Sequence, residues 1–273
     1  MTADALVDKL EALEGWFAGA ERVVVAYSGG TDSTLVAAVA TRALGDRALA
    51  VTAVSPSLPP GEAAEARRVA AQLGIRHRTV RTHEAEDPRY LANGPDRCYH
   101  CKTELYTVLG RVAAEAGRGA WVVSGANVDD LGDVRPGLRA AREHGVRHPL
   151  VEVGLTKAEV REAARRLELP TWDKPASACL SSRIAFGMMI SVEELARVGR
   201  AERLLKDLGF RQCRVRVHGE LVRIEVEAPE LPRLADPAVR ERVVEGLRSL
   251  GYRYVTLDLE GFRSGSMNPE AGP

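Results

Sequence analysis

The residues of this chain that could do chemistry fall into two groups, and the first is a glycine-rich turn. Residues 28–33 read Ser-Gly-Gly-Thr-Asp-Ser, between four apolar residues, 23–26, and a stretch of helical composition. The start of a helix presents backbone N–H groups and a positive dipole end to an anion. Gly29 and Gly30 have no Cβ to keep phosphate oxygens away. The turn lacks the lysine of the common Gly-x4-Gly-Lys-Ser/Thr loop, so it predicts a phosphate site of another kind.

The second group is made of cysteines. Cys98 and Cys101 form a Cys-x-x-Cys pair, and Cys179 lies far downstream. The pair fits half of a structural zinc site, to which nearby histidines could add ligands. It also fits a redox pair, although a thioredoxin-like context is missing. With Cys179, the pair would instead supply three thiolates to a cubane iron–sulfur cluster and leave one iron open for an extra sulfur ligand. Spacing alone does not choose among these sites.

Cys179 also stands out by its neighbours, because Lys174 precedes it and Arg183 follows it. Nearby cations lower the pKa of a thiol and increase the fraction present as thiolate. The alternative is a buried, inert cysteine, which is the commoner role of an isolated one. The flanking residues favour a reactive thiol.

Residues 124–133 form a second candidate nucleotide motif, Ser-Gly-Ala-Asn-Val-Asp-Asp-Leu-Gly-Asp. Mg²⁺ prefers carboxylate and phosphate oxygens. Asp130 and its acidic neighbours, together with Asp32 of the first turn, are therefore candidates for a magnesium–nucleotide site. The alternative is an Asx-rich loop that caps a helix.

Alternating strands and helices must position these groups. The predicted strands are 22–27, 47–54, 76–82 and 120–124, and the predicted helices are 33–44, 60–73, 101–116 and 156–167. Repeated βα units predict an α/β fold with a parallel sheet between helices. Ligands of such sheets bind beyond the carboxyl ends of the strands, where residues 28–30, Ser55 and residues 124–127 are expected.

The pattern changes after residue 186. A helix from 191 to 208, strands 211–218 and 221–227, a helix over 237–249 and a strand over 252–259 predict an αββαβ unit. We therefore expect a first domain over 1–186, a smaller α+β domain over 187–263 and a flexible, Gly-, Pro- and Ser-rich tail over 264–273.

The first strand of this second domain alternates in character. Cys213, Val215 and Val217 share one face, and Arg214 and Arg216 share the other. The arginines are either solvated side chains or a clamp for a substrate phosphate. Cys213 is most simply a core residue.

Composition limits the classes of function. The chain carries 38 basic and 38 acidic residues, which gives no electrostatic case for a nucleic-acid partner. The N-terminal residues are acidic and amphipathic rather than signal-like, and no apolar run approaches the roughly 20 residues that span a membrane. Four cysteines in such a chain favour metal binding or catalysis over disulfides. We expect a cytoplasmic protein.

The turn at residues 28–33 resembles the PP-loop of the ATP pyrophosphatases. Residues 97–102, residues 127–133 and the block Lys174-Pro175-x-Ser177-Ala178-Cys179-Leu180-x-Ser182-Arg183 resemble one subgroup, the LarE-type sulfur transferases. The resemblance covers nearly the whole chain. It implies binding of ATP and Mg²⁺, a small-molecule nucleotide substrate and a homo-oligomer whose contacts involve the smaller domain.

The motifs and the resemblance together predict which residues form the site. ATP binding is expected at Ala26, Ser28, Gly29, Gly30, Asp32, Ser33, Ser55, Gly125 and Asp130, with Asp32 also as the Mg²⁺ ligand. Substrate binding is expected at Ser182, Arg183, Glu202, Arg214 and Arg216. Catalysis is expected from Cys179, Asp32 and Arg183, and a [4Fe-4S] cluster is expected on Cys98, Cys101 and Cys179.

Enzymes of this subgroup adenylate a carboxylate of pyridinium-3,5-biscarboxylic acid mononucleotide and convert it to a thiocarboxylate, a step in making the nickel-pincer nucleotide of lactate racemase. Some members sacrifice the sulfur of the cysteine that matches Cys179. Others use sulfide bound to a [4Fe-4S] cluster, and the three-cysteine pattern here favours that source.

Three other functions stay open at this stage. A PP-loop tRNA thiolation enzyme would need a basic, RNA-binding surface. An ammonia-dependent ATP pyrophosphatase of the NAD synthetase type would leave the cysteines without a role. An ATP-binding regulatory module would need no activated thiol.

Overall fold

The computed structural model describes residues 3–132, 136–263 and 265–267, and the chain divides into two compact units. Unit 1 takes the residues up to Ser55, Gly61–Glu84 and Asp96–Ala176. Unit 2 takes Pro56–Pro60, Ala85–Pro95 and the residues from Ser177 onward. Asp133 and most of the predicted tail lie outside the described residues.

The strands, in chain order, are β1 (Arg22–Ala26), β2 (Ala48–Val54), β3 (His77–Arg81), β4 (Ala120–Val123), β5 (Cys213–His218), β6 (Leu221–Val226) and β7 (Tyr254–Leu257). The α-helices are α1 (Ala3–Ala18), α2 (Thr31–Leu44), α3 (Glu62–Gln72), α4 (Pro88–Leu91), α5 (Arg97–Ala116), α6 (Pro136–Glu143), α7 (Pro149–Glu152), α8 (Lys157–Arg166), α9 (Val192–Asp207), α10 (Leu231–Ala235) and α11 (Pro237–Ser249).

Unit 1 is built on a four-stranded parallel sheet in the order β3-β2-β1-β4. In its register, Val24 of β1 lies between Leu49 of β2 and Val122 of β4. The α/β fold predicted from the sequence is confirmed. Because the chain moves from β1 to β2 on one side and reaches β4 on the other, a crevice opens between β1 and β4, where such sheets bind ligands.

Apolar packing on both faces explains why β1 reads as a continuous hydrophobic run. Val23 and Val25 join Leu35 and Val160 in a cluster with helices α1, α2 and α8. Val24 joins the cluster formed by α5 and α6 on the opposite face. The sheet is therefore a buried, rigid layer that fixes where the loops at its carboxyl edge lie.

Unit 2 contains the second, smaller sheet that the sequence predicts. Its order is β5-β6-β7, with β5 and β6 antiparallel and β6 and β7 parallel. Helix α9 packs on β5 and α11 packs on α9. The elements follow one another as an αββαβ unit, with α10 as an additional short helix.

The continuous part of unit 2 begins at Ser177, ten residues before the predicted domain start at residue 187. Unit 2 also includes two short segments from earlier in the chain, Pro56–Pro60 and Ala85–Pro95. The Asn93 side-chain amide donates hydrogen bonds to the carbonyls of Ile184 and Ala185. The Tyr90 hydroxyl contacts the Ser181 hydroxyl. These contacts join residues 85–95 to residues 177–186, a long-range packing that no local pattern signals.

Helix α5 also begins four residues earlier than predicted, at Arg97. The backbone N–H groups of Tyr99 and His100 both donate to the Asp96 carbonyl, and these bonds start the helix. The Cys-x-x-Cys pair is therefore helical rather than in a loop.

Within the described part of the chain, no helix combines the length and apolarity required to cross a bilayer.

A half-buried histidine makes the stability of unit 1 depend on pH. The Thr52 hydroxyl donates to the Tyr27 carbonyl and lies 2.8 Å from Nε2 of His77. Because that hydroxyl has only one proton, Nε2 of His77 must donate to it. Burial, followed by the charge of Arg67, lowers the pKa of His77, so the folded protein favours the neutral ring.

We expect acidification below the ordinary histidine pKa of about 6.5 to destabilise the fold, because the unfolded chain then binds a proton that the folded chain resists. Urea unfolding at pH 5.5 and 7.5 measures the effect. Replacing His77 with Gln should reduce the pH dependence by at most about 1.4 kcal/mol per pH unit, the limit for one proton. An unchanged slope in His77→Gln would contradict this assignment.

Candidate functional site

The glycine turn lies at the start of α2, where its backbone is held open. Gly29 has a φ of +71°, which glycine adopts readily. A Cβ at this position would lie 2.9 Å from the Cβ of Ala66 on α3. The hydroxyls of Ser28 and Ser33 lie 3.0 Å apart, and that of Ser33 also accepts the Ser28 N–H. The turn is a closed loop whose following N–H groups begin a helix, which is the geometry of an anion site.

A second glycine brings the β4 loop to the same helix start. A Cβ on Gly125 would lie 2.8 Å from the backbone nitrogen of Ser33. Only glycine allows this approach, so the loops after β1 and β4 meet over the first turn of α2. Residues 28–33 and Gly125, far apart in sequence, form one surface at the crevice between the two strands.

Asp32 lies in the middle of this surface with both carboxylate oxygens engaged. Its Oδ1 accepts a hydrogen bond of 3.2 Å from the Asn127 side chain, and its Oδ2 contacts the Lys157 ammonium. Lys157 is the first residue of α8 and also donates its backbone N–H to Asp129. The Lys157 ammonium is thus the cation that pairs with Asp32 beside the glycine turn.

In the acidic loop at residues 128–132, side-chain oxygens accept hydrogen bonds mainly from backbone N–H groups of the same loop. The Asp130 carboxylate accepts a hydrogen bond of 3.0 Å from the backbone N–H of Asn127. The side-chain oxygen of Asn127 accepts one of 3.0 Å from the backbone N–H of Asp129. This is the Asx-rich loop that the sequence left as an alternative. Asp32 remains the carboxylate that lies beside the glycine turn.

Two further expected positions lie at the same edge of the sheet. Ala26 ends β1 and is half-buried. Ser55 follows β2 and donates a hydrogen bond of 2.5 Å to the carboxylate of Glu84, a buried residue after β3. Residues at or just after the carboxyl ends of β1, β2 and β3 thus lie at the same edge of the sheet.

The cysteine pair lies on one face of α5. Cys98 is exposed and Cys101 is half-buried, and residues three apart on a helix are neighbours. This spacing is suitable for two ligands of one metal or cluster. Across the described ranges, no group of three or more His, Cys, Asp and Glu side chains is close enough together to hold a metal ion.

Cys179 belongs to unit 2, where Arg183 shapes its turn. The Arg183 side chain is 1 % exposed and forms two hydrogen bonds to Glu202, of 2.8 and 3.0 Å. Its remaining nitrogen donates to the carbonyls of Ala178 and Cys179 at 2.8 and 2.9 Å. Glu202 neutralises the guanidinium, and the guanidinium in turn fixes the backbone that carries the thiol.

The arginines of β5 are buried, so the alternative of solvated side chains is wrong. Arg214 and Arg216 are 6 % and 5 % exposed, because other parts of unit 2 cover the second face of the strand as well. Arg216 binds Glu225 twice, at 3.0 and 2.8 Å, and donates to the Ser182 carbonyl at 3.0 Å.

Arg214 lies close enough to two other arginines, Arg183 and Arg216, to feel their charges. Burial, and then the charge of Arg183, lower its pKa to about 10. Its guanidinium packs 5.0 Å from the centre of the Phe262 ring. On the opposite face, burial raises the pKa of Cys213 to about 12, so this thiol is an inert core residue, as expected.

Comparison with known proteins places the chain in a family. Residues 7–88 match the family model described as NAD synthase. Over 250 residues the chain is 42 % identical to pyridinium-3,5-bisthiocarboxylic acid mononucleotide synthase of Lactiplantibacillus plantarum, covering 91 % of this chain and 89 % of that protein. The chain belongs to the LarE family. An uncharacterised Synechocystis protein is also similar, at 48 % identity over 96 % of this chain and 98 % of that protein.

Within this member of the LarE family, the structure brings together the predicted residues of the glycine turn, Gly125 and Asp32 in unit 1. It brings together Ser182, Arg183, Glu202 and Arg216 in unit 2. Sequence reasoning missed Asn127 and Lys157 as partners of Asp32. The capping box at Thr156 marked the start of α8, but nothing in the sequence related Lys157 to a residue 125 positions earlier.

We expect Gly29→Ala to weaken ATP binding, because the added Cβ meets α3 and displaces the loop. Gly45→Ala is the matched control, since Gly45 also has a positive φ of 57° but has no atom near its Cβ position. Both variants should lose about 1–2 kcal/mol of stability from backbone strain. Only Gly29→Ala should bind ATP about tenfold or more weakly, a difference of about 1.4 kcal/mol, by calorimetry. Equal ATP affinities would contradict the loop geometry.

We expect Arg183→Met to destabilise the protein by about 3–5 kcal/mol, because it leaves the buried Glu202 carboxylate without its partner. The double variant Arg183→Met, Glu202→Leu should recover most of this loss in urea unfolding. Arg203→Met on the same helix as Glu202 is the control, since its pair with Asp207 is exposed and should contribute at most about 1 kcal/mol. A double variant no more stable than Arg183→Met would refute the pairing argument.

Proposed function

We propose that this protein is an ATP-dependent sulfur transferase that converts a carboxylate of pyridinium-3,5-biscarboxylic acid mononucleotide to a thiocarboxylate. The observation that carries the proposal is the 42 % identity to the L. plantarum synthase along nine-tenths of the chain. The glycine turn, the paired Asp32 and the three cysteines outside the core are the chemical groups that such a reaction requires.

The ATP half of the reaction is assigned to unit 1. A substrate carboxylate oxygen attacks the α-phosphorus of ATP, the bond to the β-phosphate oxygen breaks, and pyrophosphate leaves. N–H groups at the start of α2 would stabilise the charge on the phosphates. Asp32 would hold Mg²⁺, which would neutralise charge on the phosphates, and the Lys157 ammonium that contacts Asp32 would supply a further positive charge at this surface. The product is an acyl adenylate with AMP as a good leaving group.

The sulfur half requires a nucleophile at the acyl carbon. Cys98 and Cys101 are one turn apart on α5 and fit two positions of a [4Fe-4S] cluster, for which we propose Cys179 as the third ligand. When bound, such a cluster would present an extra sulfide at its open iron as the sulfur donor. Attack at the acyl carbon expels AMP, and each further turnover consumes a new sulfide.

If Cys179 is instead the donor, its thiolate forms a thioester with the acyl group. Removal of the α-proton of Cys179 and cleavage of its Cβ–S bond would then release the thiocarboxylate and leave dehydroalanine. Arg183 holds the carbonyls of residues 178 and 179 and would fix the orientation of the thiol in either route.

Substrate binding is assigned to unit 2. Arg183, Arg214 and Arg216 are three buried cations of this unit, and guanidinium groups bind phosphate oxygens through charge-assisted hydrogen bonds. Ser182, whose hydroxyl accepts a hydrogen bond from Arg183, is the adjoining polar group. We also propose a homo-oligomer with contacts through this unit and no nucleic-acid partner.

The decisive experiment is anaerobic iron–sulfur reconstitution followed by assay with ATP, Mg²⁺, the substrate and a sulfide source. We expect pyrophosphate release and several thiocarboxylates per polypeptide by mass spectrometry. Cys98→Ala and Cys101→Ala should lose the cluster absorbance and multiple turnover. Cys213→Ala is the matched control and should retain both, because Cys213 is in the core.

Each contrary result has a distinct meaning. One sulfur per polypeptide with mass loss at Cys179 would overturn the cluster source and keep the sulfur transfer. Release of pyrophosphate with ammonia as acceptor, in a protein whose cysteine variants stay active, would favour the NAD synthetase alternative suggested by the match to residues 7–88. Salt-dependent tRNA binding with thiolation would favour the RNA-modifying alternative.

A further inference from the structure

The segment Thr171–Ala176 ends unit 1 and leads to Cys179; we call it the connector. Its first residue is fastened to the ATP loop, because the Thr31 hydroxyl donates a hydrogen bond of 2.7 Å to the Thr171 carbonyl. Both residues are buried, at 2 % and 1 % exposed. Thr31 is the first residue of α2 and directly follows Gly30. The connector therefore begins in contact with the proposed phosphate site.

Lys174, in the middle of the connector, makes a second contact with the same loop. Its ammonium donates to the Gly29 carbonyl at 3.1 Å and pairs with Glu62 of α3 at 2.8 Å. The side chains of Lys174 and Glu62 are 17 % and 14 % exposed. Gly29 has a positive φ and no room for a Cβ beside Ala66, so Lys174 contacts the loop at a position that requires glycine.

We infer that Lys174 is a positioning residue that couples nucleotide binding in the glycine loop to the connector of the sulfur-transfer cysteine. The inference rests on the proposed function, since it requires ATP in the loop. The described contacts use two of the three N–H donors of the ammonium. Phosphates bound at the start of α2 attract this cation, which tightens its hold on the loop and orders the connector. The ordered connector then fixes the start of the chain segment that leads to Cys179.

Arg161 provides a matched control for this coupling. It lies on α8 and donates to the carbonyls of Trp172 and Lys174 at 3.1 and 3.2 Å. It holds the same connector but makes no described contact with the glycine loop. Arg161→Met should therefore loosen the connector equally with and without ATP, whereas Lys174→Met should remove the effect of ATP.

The connector contains its own optical probe. Trp172 is 45 % exposed. The other two tryptophans, Trp16 and Trp121, contact each other edge to face with ring centroids 5.2 Å apart, and both stack with Arg147. A fluorescence change on nucleotide binding that disappears in Trp172→Phe reports on the connector.

The experiment uses the full-length protein with Mg²⁺ and a non-hydrolysable ATP analogue. Because bound phosphates should order the connector through Lys174, we expect the connector amides of the wild type to exchange about tenfold more slowly with nucleotide bound. In Lys174→Met this protection and the Trp172 signal should disappear while nucleotide affinity falls less than about tenfold, or about 1.4 kcal/mol. Thiocarboxylate formation should slow more than pyrophosphate release. Lys174→Arg, which keeps the charge, should restore the protection.

Persistence of the nucleotide-dependent protection in Lys174→Met would overturn the coupling, and so would complete loss of nucleotide binding, which would make Lys174 a simple ligand of ATP. The double variant Lys174→Met, Glu62→Gln separates a folding defect from loss of coupling, because it leaves no unpaired carboxylate at this site. Absence of nucleotide binding in the wild type is a different result. It would overturn the proposed function along with this inference.

Discussion

The close approach of two loops to the start of α2 is the constraint on which the nucleotide site depends. A Cβ on Gly29 would collide with Ala66 of α3, and a Cβ on Gly125 would collide with the backbone of Ser33. Neither approach leaves room for a Cβ, so both loops are fixed against a helix that is itself buried against the parallel sheet. Backbone N–H groups at this position cost no reorganisation when an anion arrives. The positions of Asp32, Asn127 and Lys157 all follow from this packing.

A second feature recurs in both units: four cations of the candidate site each pair with a carboxylate. Lys157 pairs with Asp32, Lys174 with Glu62, Arg183 with Glu202 and Arg216 with Glu225. An unpaired buried charge is strongly destabilising, so these pairs let the protein keep cations close to a site before ligand is present. A phosphate or a metal ion can then exchange partners with them rather than create a new charged contact. Arg183 shows the related positioning role, since Glu202 neutralises it while it holds the Cys179 backbone.

Local sequence patterns predicted helices and strands correctly where the patterns were strong. The apolar run of β1, the capping box before α8 and the alternation of β5 and β6 lie where the sequence placed them. The start of α5 was missed because Arg97 to Cys101 has no apolar periodicity, and the carbonyl of Asp96 starts the helix instead. The solvated-arginine alternative for β5 failed because period-two alternation shows two faces but not that both are covered. The division between the units differed because Tyr90 and Asn93 pack against residues far along the chain.

The sequence by itself determined the class of fold, the glycine turn and the identity of the groups that can do chemistry, because each depends on neighbouring residues or on periodicities of two and 3.6 residues. Tertiary structure decided which charges meet. Lys157 and Lys174 supply to the glycine loop the cations that its own sequence lacks, and they come from 125 and 145 residues away. Such pairings depend on how helices α3 and α8 pack on a common sheet, and packing of that range leaves no trace in local sequence patterns.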